Sequence, residues 1–199
     1  MKDAVARFYW DQLGESNRVL DLGCGEGTIG ALKPGNREVH GLEISPALVA
    51  RLEGYASASV WNLDDAAPWP FADGQFDGVV AKDILEHLQR PWQTVAEIGR
   101  VLRPGGVVIV SVICHRSHRL WSDYTHVRGF TEASARRLFS DAGFVVEKQW
   151  RMGGVPWSAR LEAIHLVPRV LAIPLFNWLW TSSYELRARK PEKHVCSRQ

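Results

Sequence analysis

Short apolar runs rich in β-branched residues alternate along the chain with segments whose apolar residues recur at helical spacing. Apolar runs of about four to eight residues are typical of strands buried in a parallel sheet, and helical stretches between them indicate βα units. The predicted strands cover residues 18–22, 38–42, 58–61, 76–81, 107–112, 144–149 and 184–189. The pattern therefore predicts an α/β fold in three layers, with helices on both faces of a mostly parallel sheet.

Capping residues mark the helices between these strands. Ser45 as N-cap and Pro46 at the first helical position predict a helix over residues 46–53. Thr131 and Gly143 bracket a second helix over residues 132–142. Two further helices are predicted over residues 5–13 and 91–102.

Two connections are longer than closure of the sheet requires, residues 114–130 and 152–183. Long connections in compact domains are commonly functional, so these are the predicted substrate-side elements. The whole of residues 1–190 is expected to form one domain, followed by a polar tail over residues 191–199.

Composition supports a globular protein of a reducing compartment. The chain has 199 residues, 46% of them apolar and 23% charged, and its three cysteines are too few and too widely spaced for a disulfide framework or a CxxC-type zinc site. Charges within residues 1–13 argue against an export signal, so a cytoplasmic location is expected. Residues 161–180 are apolar but interrupted by charges and prolines, which disfavours a membrane span and leaves an interfacial helix open.

The charges are unevenly distributed along the chain. Residues 1–110 carry 10 basic and 15 acidic residues, whereas residues 111–199 carry 14 and 7, with five of the seven histidines. The arginines of the second half are interleaved with apolar residues, as on a folded face, so a nucleic-acid partner is not expected.

A glycine-rich turn follows the first predicted strand in RVLDLGCGEGTIG, residues 18–30. Gly25, Gly27 and Gly30 satisfy GxGxxG, which by itself is a weak signal that includes NAD-binding proteins. Asp21 at the end of the strand would repel a pyrophosphate and attract an ammonium or sulfonium group. Glu43 ends the second strand, at a spacing where an acid can accept both hydroxyls of a ribose. These features favour a cationic nucleoside ligand over NAD.

Five segments in order resemble the motifs of class I S-adenosylmethionine (SAM) dependent methyltransferases: RVLDLGCGEGTIG, VHGLEIS, NLDD, FDGVVAKDILEHL and RVLRPGGVVIVSV. Among the branches of that family the chain most resembles the small-molecule one, which includes ubiquinone-biosynthesis and sugar-modifying enzymes. The resemblance implies a Rossmann-like seven-stranded sheet of order 3-2-1-4-5-7-6 with one antiparallel strand. It also implies SAM as cofactor and S-adenosylhomocysteine (SAH) as product.

The same resemblance assigns the cofactor-binding residues. The loop from Gly23 to Gly27 would hold the methionine part, with Asp21 near its amino group, Glu43 on the ribose and Ile44 on the adenine. Lys82 would lie beside the methionine, where the family more often has a small or neutral residue. Asp64 and the backbone of Leu63 would contact the adenine amino group. The complete predicted set is Asp21, Gly23, Cys24, Gly25, Gly27, Glu43, Ile44, Leu63, Asp64 and Lys82.

Two histidines are candidate general bases for an acceptor that must lose a proton. His87 follows the fourth strand, and His126 lies in DYTHVRGFT, which resembles a segment of sugar and natural-product methyltransferases. Each has a structural alternative: His87 could pack the next turn, and His126 with Arg128 could tie the loop to Asp123. No metal ligands are predicted.

Arginine forks suit carboxylate or phosphate groups, and the segment holding His126 is rich in arginine. The predicted substrate-binding residues are Arg116, Arg119, Tyr124 and Arg128. They indicate an acceptor with an acidic or phosphorylated group.

The resulting expectation is methyl transfer from SAM to an oxygen or nitrogen of a small molecule. One alternative is a quinone or lipid methyltransferase at a membrane surface, although membrane contact is not favoured. Another is a SAM-binding regulatory partner without catalysis. An apolar lid or a homodimer surface is the expected role of the aromatic residues in the two long connections, namely Trp121, Trp157, Phe176, Trp178 and Trp180.

Overall fold

A computed structural model describes residues 2–153 and 181–192 of the chain. The strands are β1 (Arg18–Leu22), β2 (Glu38–Glu43), β3 (Ser57–Val60), β4 (Phe76–Lys82), β5 (Leu102–Ile113), β6 (Val145–Gly153) and β7 (Thr181–Arg189). The helices are α1 (Lys2–Leu13), α2 (Thr28–Ala31), α3 (Pro46–Val49), α4 (Pro91–Val101) and α5 (Glu132–Asp141), and a 3-10 turn covers Leu120–Ser122.

All seven strands form one sheet in the order β3-β2-β1-β4-β5-β7-β6. Strands β1 to β5 pair in parallel, and β7 runs antiparallel to both of its neighbours, β5 and β6. The predicted fold class and strand order are therefore confirmed. The order reverses between β1 and β4, which is where open α/β sheets bind ligands.

Alternation of side chains along the central strands builds a core on each face of the sheet. On one face Leu20 and Val79 pack with α4 and α5, whereas on the other Val19 and Val80 pack with α1 and Ile29 of α2. Because helices cover both faces, the inner residues of the central strands are mostly apolar, and the sheet forms the middle of three layers.

The structure differs from the sequence prediction mainly at the ends of elements. Helix α3 ends at Val49 instead of continuing to residue 53, because the chain turns through Gly54 and passes against the backbone of Gly30. Strand β5 begins at Leu102, several residues before the predicted start, and β6 and β7 also extend beyond their predicted bounds. Helix α2 is too short for its periodicity to show in the sequence.

Within the described residues no helix is long and apolar enough to cross a membrane. The apolar segment of residues 161–180, most of the second long connection and residues 193–199 of the tail lie outside the described part of the chain.

We expect Gly54→Ala to destabilise the fold far more than Gly35→Ala. Both glycines have positive φ, 78° and 63°, so an alanine at either costs about 1–2 kcal/mol in backbone strain. A Cβ at Gly54 would also lie 2.4 Å from the carbonyl oxygen of Gly30, whereas a Cβ at Gly35 meets nothing within 4 Å. Urea denaturation should therefore give a loss of roughly 3 kcal/mol or more for Gly54→Ala. Equal losses in the two variants would contradict the close backbone contact.

Candidate functional site

The loop between β1 and α2 has a backbone that only glycine adopts without strain at several positions. Gly23 and Gly27 have φ of 62° and 77°, and Gly27 is the N-cap of α2. A Cβ at Gly23 would lie 2.7 Å from Ile84, so the loop also packs closely on the segment after β4. The loop therefore exposes backbone instead of side chains at the carboxyl end of β1.

Asp21, at the base of this loop, is a buried carboxyl group with only 3% of its surface exposed. Its Oδ2 accepts a hydrogen bond of 2.6 Å from the hydroxyl of Tyr55. Burial raises the pKa of Asp21 to about 7, against the opposing effects of the Tyr55 hydrogen bond and of Lys82. A ligand cation beside it would restore the charged form.

Glu43 connects the end of β2 to the glycine loop. Its Oε2 accepts a hydrogen bond of 2.9 Å from the Gly25 amide, and its Oε1 accepts one of 3.0 Å from the Ser45 amide. Each carboxylate oxygen retains a further lone pair for a ligand hydroxyl. The residue thus orients the loop and remains able to bind a ribose.

A cavity of about 320 Å³ lies on the loop. Its walls bring together four of the predicted residues from the β1 end, Asp21, Gly23, Cys24 and Gly25, with Lys82 from the end of β4. The Lys82 ammonium also pairs with the carboxylate of Asp83. Burial raises the pKa of the Cys24 thiol to about 12, which disfavours the thiolate form that would act as a nucleophile.

The other predicted cofactor residues are absent from the described wall of this cavity. Ile44 is 64% exposed beyond the end of β2, so it offers an apolar surface to a ligand. Leu63 is buried in the core. The Asp64 carboxylate accepts hydrogen bonds from the amides of Gln89 and Arg90, ahead of α4. Asp64 thus has a structural contact of its own, and its role toward adenine stays a prediction.

A second cavity, of about 360 Å³, opens beyond the ends of β4 and β5. Its described lining consists of Asp83, Glu86, His87, Ile113, Arg119, Ser122, Asp123, His126, Ser182 and Ser183. The consecutive residues Lys82 and Asp83 line one cavity each, so the two cavities are neighbours at the end of β4.

Both predicted histidines lie in this second cavity, with ring centroids 4.6 Å apart. The His87 Nδ1 is 2.9 Å from the Thr125 hydroxyl, which in turn donates to Asp123 over 2.6 Å. The His126 Nδ1 is 2.6 Å from the carbonyl oxygen of Leu120. Burial lowers the pKa of His87, and the neighbouring His126 lowers it further, which favours a neutral ring.

Carboxyl groups outnumber arginine and lysine side chains in the described lining of this cavity. Asp83, Glu86 and Asp123 contribute three acids, and Arg119 is the single arginine there. Glu86 is only 1% exposed, and its Oε2 has no hydrogen-bond partner among the residues that the structure describes. Burial raises the pKa of Glu86 to about 8.

Of the four predicted substrate residues, Arg119 is in the described lining of the second cavity, and the other three are absent from it. Arg128 donates to the carbonyl of Gln89, so it ties the loop down as the structural alternative suggested, although to a different partner. Tyr124 is 96% exposed. Arg116 is exposed and has a partner within the chain. Contact of these three residues with a substrate stays a prediction.

Sequence reasoning missed Tyr55, Asp83 and Glu86. Tyr55 fills the space left by Gly30 and Gly41, since a Cβ at Gly30 would lie 2.2 Å from its ring. The two glycines indicate a bulky neighbour but not which residue it is. Asp83 and Glu86 were visible directly after a predicted strand, but their side-chain directions depend on the turn that follows β4, where Asp83 has φ of 50°.

Comparison with known proteins finds a match that includes both the glycine loop and the central strands of the sheet. A family model described as a methyltransferase domain matches residues 20–110. Residues 20–110 therefore form a methyltransferase domain. All ten of the predicted cofactor-binding residues lie within it.

Individual relatives of the methyltransferase domain agree with this assignment. The chain is 34% identical over 153 residues to a "probable S-adenosylmethionine-dependent methyltransferase" of Mycolicibacterium smegmatis, covering 74% of this chain and 59% of that protein. It is 36% identical over 102 residues to the ubiquinone biosynthesis O-methyltransferase of Aromatoleum aromaticum, covering 48% of this chain and 44% of that one. The chain thus spans less than two thirds of the length of these two relatives.

A solved structure extends the similarity beyond the matched residues of the methyltransferase domain. The SAM-dependent methyltransferase from Archaeoglobus fulgidus superposes with a TM-score of 0.72 at 19% identity, covering 94% of this chain and 92% of that one. At this identity the similarity concerns the fold.

We expect the buried Asp21 to make stability depend on pH. Its pKa is about 7 in the folded chain, against an ordinary value of 3.8 for an aspartate, so the folded state binds the proton more tightly. The stability this provides is complete below about pH 4 and is lost as the pH rises to about 7. Asp21→Asn removes this titration, so the variant should not lose stability in this way as the pH rises from about 4 to 7. Its unfolding free energy should therefore rise relative to that of the parent by at most about 4 kcal/mol over this range. Urea denaturation at several pH values measures it, and a difference independent of pH would contradict the buried, titrating carboxyl.

Proposed function

We propose that the chain transfers the methyl group of SAM to an oxygen or nitrogen of a small molecule. The observation that carries the proposal is the adjacency of the two cavities at the end of β4, one on the glycine loop and the other walled by His87 and His126. The donor would occupy the first cavity and the acceptor the second.

On the donor side, the charged form of Asp21 would receive the ammonium group of SAM beside the backbone of the glycine loop. Glu43 would bind the ribose with the lone pairs that its two amide contacts leave free. The exposed Ile44 would pack on the adenine, and Leu63 with Asp64 would approach its amino group. Gly27 supports this arrangement through the turn into α2.

On the acceptor side, the sulfonium of SAM is already a good leaving group, so the protein has to align the acceptor and exclude water. Alignment alone can lower a barrier by about 7–11 kcal/mol. An oxygen or nitrogen acceptor must also lose a proton, and His87 and His126 are the groups that would promote this loss. Their Nδ1 atoms are hydrogen-bonded to the protein, which directs the rings.

The nature of the acceptor follows from the relatives and from Arg119. A relative that methylates an oxygen in ubiquinone biosynthesis supports a small-molecule acceptor. An acidic or phosphorylated group on it would pair with Arg119, since Arg119 is the arginine of the described cavity wall. A cytoplasmic location and a homodimer stay predictions of the sequence.

We expect Asp21→Asn to weaken SAM binding at least tenfold when binding is measured by calorimetry at about pH 8, because the variant loses the negative charge that faces the ammonium group. Asp11→Asn is the matched control, since Asp11 is exposed on α1 and does not line the loop cavity. Equal affinities in the parent and Asp21→Asn proteins would contradict the assignment of Asp21.

We expect Arg119→Ala to raise the KM for the acceptor at least tenfold while kcat changes little, because the lost ion pair binds the acceptor before and during the reaction. Acceptors would be screened by SAH release. Arg137→Ala is the control, as Arg137 is an exposed arginine on α5. An unchanged KM in Arg119→Ala would exclude an acidic group bound at this position.

A further inference from the structure

The second cavity contains a cluster with the composition of a metal site. His87, Asp123 and His126 each place one potential ligand atom within 4.8 Å of those of the other two. Ligand atoms that share a metal ion at about 2.0–2.2 Å lie roughly 3–3.6 Å apart, so the side chains would have to shift or rotate to close the site. Asp123 is exposed and has room for such a movement.

The hydrogen bonds of the cluster determine which ring nitrogens are available. The Thr125 hydroxyl donates its proton to Asp123, so it can only accept from His87, and the proton of that ring lies on Nδ1. The Leu120 carbonyl can only accept, so His126 also carries its proton on Nδ1. In the neutral rings both Nε2 atoms therefore present lone pairs, and neither has a hydrogen-bond partner among the described residues. Metal-bound histidines are typically oriented in this way by a contact at the other ring nitrogen.

A second observation concerns the charge around the cluster. Glu86 lines the same cavity, is 1% exposed, and has an Oε2 without a partner in the described part of the chain. Asp83 adds a carboxylate that already pairs with the Lys82 ammonium, and Arg119 is the arginine of the described lining. A buried carboxyl oxygen without a partner is costly, so the cavity favours a bound group that offers it a hydrogen-bond donor or a positive charge.

We propose that His87, Asp123 and His126 bind a divalent transition-metal ion. Two imidazole nitrogens and one carboxylate oxygen suit Zn²⁺, Co²⁺ or Fe²⁺, whereas Mg²⁺ and Ca²⁺ prefer oxygen ligands throughout. Three protein ligands leave coordination positions open toward the cavity, as in catalytic sites.

The role of the ion rests on the function proposed above, whereas its binding does not. An ion at this cluster faces the cavity assigned to the acceptor, and Arg119 lines the same wall. An acceptor with an anionic oxygen, such as a carboxylate, phosphate or phenolate, would fit both the metal ion and Arg119. With both Nε2 lone pairs on the ion, His87 and His126 would act as its ligands and no longer as free bases. The ion would instead hold the acceptor oxygen in its anionic form, so that no further proton has to be removed there.

The test measures metal binding to the full chain without SAM or acceptor. After treatment with a chelator and its removal, the protein is titrated with Zn²⁺ by calorimetry and with Co²⁺ by visible absorption, with Mg²⁺ as a separate arm. We expect one equivalent of Zn²⁺ to bind with a Kd of about 10 µM or tighter, and His87→Ala, His126→Ala and Asp123→Asn each to weaken it at least tenfold. Thr125→Val should weaken it by roughly 10–100-fold, because the His87 ring loses its orienting contact.

Two controls separate this site from other metal-binding side chains. His118→Ala changes an exposed histidine of the same segment. The double variant His194→Ala/Cys196→Ser removes two side chains of types that can bind metal ions, near the end of the chain. Both proteins should retain the parent affinity. Thermal unfolding of every variant checks that it is folded, and the nearly isosteric Asp123→Asn, at an exposed position, keeps the test informative if a histidine variant does not fold.

The proposal is overturned if no Zn²⁺ binds below millimolar concentration, if the three ligand variants bind as the parent does, or if the double variant loses the site. Equal affinity for Mg²⁺ would overturn the assignment to a transition metal. Titration of the same samples with SAM reports on the proposed function separately, because loss of metal binding leaves the donor cavity unchanged.

Discussion

The carboxylate of Glu43 is the contact that determines the shape of the glycine loop. It accepts hydrogen bonds from the amides of Gly25 and Ser45, and hydrogen bonds to a charged group contribute about 1.5–3 kcal/mol each. On the other side of the loop, the ring of Tyr55 fills the space beside Gly30 and donates its hydroxyl proton to Asp21. The loop is thus held between β2 and the segment before β3, and its backbone is arranged independently of a ligand.

The end of β4 sets the relation between the two cavities. Lys82 and Asp83 follow one another in the chain and line different cavities. Asp83 reaches its place through a positive φ, and its carboxylate accepts a hydrogen bond of 2.5 Å from the Ser111 hydroxyl of β5. Since β4 pairs with both β1 and β5, the centre of the sheet fixes where the two cavities lie relative to each other.

Most of the sheet could be predicted because buried parallel strands leave clear apolar runs, as in β1 and β4. The start of β5 could not, because Arg103, Pro104 and two glycines are typical of a turn, and the pairing with β4 is irregular there. At the site, Asp21 and Glu43 were identifiable because each lies at the end of an apolar run. Tyr55 and the cluster around Thr125 were not, because their contacts join segments far apart in the sequence and depend on local turns.

The excess of carboxyl groups in the second cavity bears on methyl transfer itself. A SAM molecule bound as proposed carries its sulfonium charge beside this cavity, and neighbouring carboxylates stabilise that charge. The charge disappears from the sulfur when the methyl group leaves, so carboxylates alone would favour the reactants over the transition state. A positive group that persists through the reaction offsets this effect. Arg119 supplies one such charge, and the ion proposed to bind His87, Asp123 and His126 would supply another beside the proposed position of the acceptor oxygen.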